Sequence, residues 1–413
     1  MSEQETRRAG VMERVKAGEL KQVDAAAMLE LSYRQTKRLF ARYERSGAAG
    51  LVHGNAGKRS NRAKPDKLRK RALKIVAERY QGPGERFGPT LAAEHLEQDY
   101  GLSIDAETLR RWMLAEGLWK RERKRKPYRQ RRQRRSHFGE LVQMDGSFHD
   151  WLEDRGPRGC LINMVDDATS TVLARIDKEE TTWAVADALR MWVQRYGIPR
   201  ALYVDWKNVY HHDVSDKPQR EGAVVSQFQG MCRKLGIDLI GANSPQAKGR
   251  VERSHGTLQD RLIKKMRLKK IGSYQQANAF LEQTYLAAHN ARYAVAAAQA
   301  VDFHAPVGDN IDLEDVFCLE QERTVSQDWV VQYGARWMQI EAEPYVAAGS
   351  KVVVRERRDG SLKLVCRTQT LRWHEIERPP GKPTREPRIT KPQQPNQPAS
   401  DHPWRTRLLA THA

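Results

Sequence analysis

Cysteine is scarce in this 413-residue chain: Cys160, Cys232, Cys318 and Cys366 stand far apart, with no CxxC pair. That spacing gives neither a zinc-site pattern nor a disulfide framework, and it suits buried thiols in a reducing compartment. Long apolar runs are missing, so no segment is expected to span a membrane. The opening stretch MSEQETRRAG has no apolar leader region, and a cytoplasmic protein is the expectation. Acids are short relative to bases, 52 Asp+Glu against 72 Lys+Arg, a formal net charge of +20. An excess of that size points to a polyanionic partner, nucleic acid before an anionic membrane. What is present is 39% hydrophobic residues, enough for packed cores, on a length that suits roughly two to four domains.

The pattern divides the chain into six parts. Residues 1–60 read as helical, with Val11, Val15, Leu20, Val23, Ala26 and Ala27 as inward candidates. Ser32 and Gln35 form a capping-box signature for a further helix, whose Leu39, Phe40 and Tyr43 can face a core. Arg34, Gln35, Lys37 and Arg38 then lie elsewhere on that helix. Two short helices with the second one basic is the reading of a helix-turn-helix that contacts DNA; a plain helical hairpin is the competing one. A basic stretch, HGNAGKRSNRAKPDKLRKR, reads as a linker. Residues 61–119 contain a second helical pair: Gly101 ends one helix and Asp105 caps the next, with Leu109, Trp112 and Met113 inward and Arg110 and Arg111 outward. Residues 120–136 are a nearly uniform basic run, including Arg131 and Arg132, suited to following a phosphate backbone.

Residues 137–305 change character. Three strand patterns are followed by alternating helix and strand patterns, which implies a mixed sheet covered by helices. Helical character is expected to run through 274–304. Residues 306–378 alternate apolar and polar, with an Asp359-Gly360 hairpin signal, and suggest a small β-barrel. Residues 379–413 are rich in Pro and Gln and read as a disordered tail.

Three acids in the middle part carry the chemical interest. Asp145 lies on the first strand, Asp205 ends the fourth, and Glu252 lies in the first turn of the last helix. In a mixed sheet the first and fourth strands can be neighbours, and the helix can bring Glu252 over them. Carboxylates that close repel unless divalent cations neutralise them. Mg²⁺ takes such oxygen ligands together with phosphate oxygens. Each acid alone could equally be a turn acceptor or an ion-pair partner. Asp150, Asp166, Asp167, Asp213, Asp216 and Glu221 are nearby competitors, and VDDATS reads best as a β-turn.

The blocks QMDGS, YVDWKN and NSPQAKGRVERSHGTLQDRL resemble the three motif blocks of DDE transposases with a retroviral-integrase-like core. The ISNCY group of bacterial insertion-sequence transposases is the nearest in kind, and the likeness extends over nearly the whole chain. It implies a multidomain protein: N-terminal helix-turn-helix units, an RNase H-like α/β core and a small C-terminal β-domain. Carried over by position, Asp145, Asp205 and Glu252 match the triad, as catalytic residues and as ligands of two Mg²⁺ ions, with Mn²⁺ as a substitute. The interval between Asp205 and Glu252, 46 residues, is longer than the compact integrase pattern. Its surplus falls in NVYHHDVSDKPQREG, where an insertion is tolerable. The resemblance further implies binding to double-stranded DNA at element ends and target, strand cleavage, strand transfer and assembly as a homo-oligomer. Lys248, Arg250, Arg253 and Arg261 are expected to position phosphates. Two rivals stay open: an RNase H-like nuclease, and a DNA-binding regulator with a dead core.

Overall fold

The computed structural model describes residues 2–57, 63–82, 84, 86–120, 132–205, 226–241 and 248–377. The chain divides into two compact units, Met1–Lys124 and Arg125–Ala413. No described helix is long and apolar enough to cross a membrane.

The first unit is helical. Helices α1 (Glu3–Lys16), α2 (Gln22–Met28) and α3 (Tyr33–Ser46) lead into a 3-10 turn, Gly47–Leu51. Met12, Ala25, Leu39 and Leu51 form their shared core. Ser32 caps α3 as expected: its hydroxyl accepts from the Gln35 amide, and the Gln35 side chain accepts from the Ser32 amide. Gly50 has no room for a side chain, because a Cβ there would lie 2.3 Å from the Arg42 carbonyl oxygen. One expectation shifts. Val23 is 63% exposed, and Ala25 and Ala26 are the buried pair, because α2 begins only at Gln22 and turns Ala25 toward α3.

A second group follows: α4 (Asp66–Arg79), α5 (Pro89–Tyr100) and α6 (Ala106–Ala115). Helix α4 starts inside the stretch that reads as a linker, since Ala72, Leu73 and Val76 give the DKLRKRALKIV run a buried stripe. Gly101 adopts the left-handed cap that ends α5, and the Asp105 carboxylate accepts from the Glu107 and Thr108 amides at the start of α6.

The second unit is built on a five-stranded sheet: β1 (Val142–His149), β2 (Gly159–Asp166), β3 (Val172–Asp177), β4 (Ala201–Val204) and β5 (Asp238–Gly241), in the order β3-β2-β1-β4-β5. The first three strands pair antiparallel; β4 runs parallel to β1, and β5 parallel to β4. This is the mixed sheet that the alternation predicts. On one face lie α7 (Thr182–Tyr196) and α8 (Gln227–Lys234), burying Val142, Met144, Leu189, Trp192 and Phe228. On the other lie α9 (Gly249–Leu268), α10 (Tyr274–Phe280) and α11 (Leu286–Tyr293), the last two joined by a π-helical turn, Leu281–Tyr285. Helix α9 buries Val251, Leu258, Leu262 and Met266 at the expected spacing. Each such side chain contributes about 1.5–3 kcal/mol by burial, which fixes the helix to the sheet. Strand β2 is buried at every position, as a central strand covered on both faces must be.

Helical structure ends at Tyr293, short of the expected 304. Beyond it the backbone bonds to the core: the Val295 amide donates to Thr169, Gln299 to Ser136 and Phe303 to Phe138. These carbonyls replace the helical partners and lead the chain away extended.

After α12 (Leu313–Val316) come β6 (Leu319–Thr324), β7 (Val330–Tyr333), β8 (Arg336–Ile340), β9 (Lys351–Glu356), β10 (Leu362–Cys366), β11 (Gln369–Leu371) and β12 (Trp373–Ile376). They form two sheets, β11-β10-β9-β6 and β12-β8-β7. Val331, Met338, Val352, Val354 and Leu364 pack between them. Among the described residues no ladder joins the two sheets, so the expected barrel is not closed. The chain changes sheet at three places. They are the Ser326–Val330 turn between β6 and β7, with Trp329 at φ +55°, residues 341–350 between β8 and β9, and Arg372 between β11 and β12. None of these crossings pairs its flanking strands.

Candidate active site

Asp145 points to the α9 face of the sheet. Its strand neighbours Val142 and Met144 face the opposite core, whereas Gln143 and Ser147 meet α9 residues. Val142 and Gln143 stand opposite Leu202 and Tyr203 of β4. Asp145 and Asp205 each come two residues later in the chain, Asp205 directly past the end of β4. Leu202 and Val204 are buried on the α7 side, and Asp205 follows where the strand ends. Glu252 is exposed in the first turn of α9. The expected neighbours β1 and β4 are therefore adjacent, and α9 begins over the same face.

Lys248 bonds to Asp145, and His255 stands near it. Lys248 Nζ lies 2.9 Å from one carboxylate oxygen, and His255 Nδ1 lies 3.9 Å from the other. The Lys248 side chain is only 7% exposed. A buried ammonium needs an anionic partner, and Asp145 supplies it.

A further acid organises the start of α9. Asp167 is fully buried and receives Arg132, Arg250 Nη1 at 3.0 Å, the Gln143 side-chain amide at 2.7 Å and the Arg135 backbone amide at 2.8 Å. The Gln143 carbonyl in turn accepts from the Val251 amide at 3.1 Å. One carboxylate thus ties the end of the basic run to β1 and to the residue before Glu252. Its neighbour Asp166 does what VDDATS predicts, accepting from the Thr169 amide and hydroxyl. Burial raises the Asp166 carboxyl, and the hydrogen bonds from Thr169 and Gly139 offset this only in part. Asn163, opposite Asp145 on β2, donates to the Ser254 hydroxyl at 3.0 Å. Gly146 leaves room on the other face for Glu180, whose carboxyl carbon would lie 2.6 Å from a Cβ there.

The expected phosphate and DNA contacts fall into two sets. Arg34, Gln35, Lys37, Arg38, Arg111 and Arg253 are exposed. The rest meet groups of the protein itself. Arg110 grips Glu107 with two hydrogen bonds, at 2.7 and 2.6 Å. Arg132 and Arg250 share Asp167, Lys248 holds Asp145, and Arg261 lies 5.4 Å from the centre of the Tyr293 ring. Arg131 lies outside the described residues, as do Asp213, Asp216, Glu221 and most of the basic run. Sequence reasoning misses Gln143, Asn163 and His255, and names Asp167 only as a turn acid and rival carboxylate. Only the spacing of His255, three residues after Glu252 and so on the same side of the helix, signals any of them.

The acids supply hard oxygen donors of the type Mg²⁺ takes. Among the described residues, no three His, Cys, Asp or Glu side chains gather into one metal-holding group. Asp145, Asp205 and Glu252 are oxygen donors of that type, and Lys248 occupies one oxygen of Asp145.

No protein-family model matches the chain. It is 39% identical over 343 residues to "Putative transposase y4bF" of Sinorhizobium fredii (strain NBRC 101917 / NGR234), covering 83% of this chain and 74% of that protein. It is 28% identical to "Transposase for insertion sequence IS1202" of Streptococcus pneumoniae, over 97% of this chain and 93% of that one. Among solved structures, the HTLV-2 integrase catalytic core domain in complex with magnesium overlaps 35% of this chain and 82% of its own, at a TM-score of 0.27 and 19% identity. A simian T-cell lymphotropic virus intasome, in complex with PP2A regulatory subunit B56 gamma, overlaps 69% of this chain and 94% of its own, at 0.33 and 15%. TM-scores at that level do not establish a shared fold.

Proposed function

The chain belongs to the transposases of bacterial insertion sequences, and on that premise we propose that its core cuts and joins DNA with Asp145, Asp205 and Glu252. The observation that carries the reading is the parallel pairing of β1 with β4, whose continuation would bring Asp145 and Asp205 together beside the start of α9. These three carboxylates would hold Mg²⁺, or Mn²⁺ in its place. Two ions held there would supply charge to activate the attacking oxygen and to stabilise the leaving one.

The protein's own groups set the stage. Gln143 anchors the first turn of α9 through the Val251 amide, which fixes Glu252 relative to β1. Lys248 and His255 orient the Asp145 carboxylate. A water oxygen attacks a phosphodiester at the element end, and the 3′-oxygen leaves. The freed 3′-hydroxyl then loses its proton and attacks a target phosphodiester, which joins to the element end as the target's own 3′-oxygen leaves and takes up a proton. The exposed cations of α3, with Arg111 of α6, contact the element ends. Arg110 contributes if it exchanges Glu107 for a phosphate. Two ends cut in concert call for a homo-oligomer on DNA.

The test uses purified protein, Mg²⁺ and labelled duplex DNA carrying the sequence that flanks the native gene. Wild type should give 3′-end cleavage and joined products, and Asp145→Asn should bind the duplex and give neither. Cleavage without joining would point to a nuclease, and binding without cleavage by wild type to a regulator.

A further inference from the structure

The β2–β3 turn, the first half of α9 and the end of α11 enclose a second cavity of about 170 Å³. It is smaller than the roughly 300 Å³ of the smallest drug-sized sites, and holds about the volume of five or six waters. Arg134, Arg250 and Arg253 line it with Ser170, Thr257 and His289, and no acid stands among its described lining residues.

Among the described residues, the positive charge there exceeds the negative charge that meets it. Asp167 is shared by Arg132 and Arg250. Among the described residues, Arg134 meets neutral oxygens, the Ala168 carbonyl at 2.8 Å and the Ser170 hydroxyl at 2.9 Å. Arg253 is exposed. Burial, together with crowding by Arg132, Arg134 and Arg253, pulls the Arg250 guanidinium down, with Asp167 opposing. Burial, then Arg261 and Lys265, holds His289 at about 4, so its ring is neutral at pH 7 and free of added charge. Like cations at this density favour an anion among them. The hydroxyls and forked guanidiniums suit tetrahedral oxygens. Through Ser254, which lines the cavity and accepts from Asn163, the cavity backs onto the strand pair that carries Asp145.

We infer that this cavity is a phosphate site, separate from the carboxylate triad, that seats one phosphate group beside the reacting strand. It rests on the reading that the core holds DNA. A backbone phosphodiester and free inorganic phosphate share the chemistry, and the test separates them. Full-length protein is titrated with end DNA in Ca²⁺, using duplexes that each carry one neutral methylphosphonate in place of a phosphate. One position should weaken wild-type binding about tenfold, the size expected for a charge-assisted contact. The same substitution should have no effect on Arg253→Ala. That variant should also lower the slope of log affinity against log salt by about one.

In parallel, the ³¹P line of inorganic phosphate is followed with wild type and with Arg253→Ala. Broadening by wild type alone, without any methylphosphonate coupling, would assign the site to free phosphate. Additive effects at every backbone position, together with no Arg253-dependent broadening, would overturn the proposal. Ser170→Ala should reproduce part of the effect and guards against a charge-only artefact, since the Ser170 hydroxyl accepts from Arg134 and keeps its proton for an anion. All these readouts are of binding, so a triad misassignment, seen as normal cleavage by Asp145→Asn, would leave them unchanged.

Discussion

Helices α3 and α9 are both basic, and they use that charge differently. On α3, Arg34, Lys37, Arg38, Arg42 and Arg45 are exposed, and none has an ion pair among the described residues. On α9, Arg250 meets Asp167, Arg267 meets Glu153, Lys264 meets Asp260, and Arg261 and Lys265 lie over Tyr293 and Tyr285. Arg253 alone of the expected α9 contacts stays outward. The difference follows from packing. Helix α3 rests on a small core with one face, while α9 lies along a sheet and between other helices, where a buried cation must find a partner. A basic helix that is solvated serves a partner molecule; one that is packed holds its own fold together.

The comparison predicts its own breaking points. The largest stability effect should come from Asp167→Ala, which leaves Arg250 buried without its anion. A loss of about 3–5 kcal/mol is expected, read by urea denaturation, and Arg250→Ala should fall in the same range. Next, Arg34→Ala and Arg38→Ala should leave stability within about 0.5 kcal/mol while weakening DNA binding. Each should lower the salt slope by about one phosphate contact. If Arg38→Ala unfolds the first unit, or Asp167→Ala leaves the second unperturbed, the contrast is wrong. The smallest effect should come from Ser32→Ala, about 1 kcal/mol, through loss of the α3 cap. It should act on DNA binding only by loosening α3.

Much of this arrangement is readable before any coordinates. The Ser32–Gln35 and Asp105 caps, the α9 stripe and the β1–β4 adjacency follow from local patterns and from the rules of mixed sheets. What stays hidden is long-range. Asp167 sits in a turn sequence, and its partner Arg250 lies 83 residues away; nothing local distinguishes a capping acid from a buried hub. Lys248 reads as a phosphate contact because its partner Asp145 is 103 residues distant. The unclosed C-terminal sheets are hidden for a related reason. Alternation marks strands but says nothing of which edges pair. The surplus acids between Asp205 and Glu252 include Asp213, Asp216 and Glu221, outside the described residues. The triad assignment therefore rests on register and sequence position.

The most direct measurement compares Asp205→Asn and Glu252→Gln with wild type in single-turnover cleavage of end DNA, with binding of the same DNA measured beside it. The account predicts loss of cleavage by at least about a hundredfold, as expected for removal of a group that acts on the reacting atoms, with affinity nearly unchanged. A Glu252→Gln protein that cleaves at the wild-type rate would contradict it and return Glu252 to an ordinary first-turn acid.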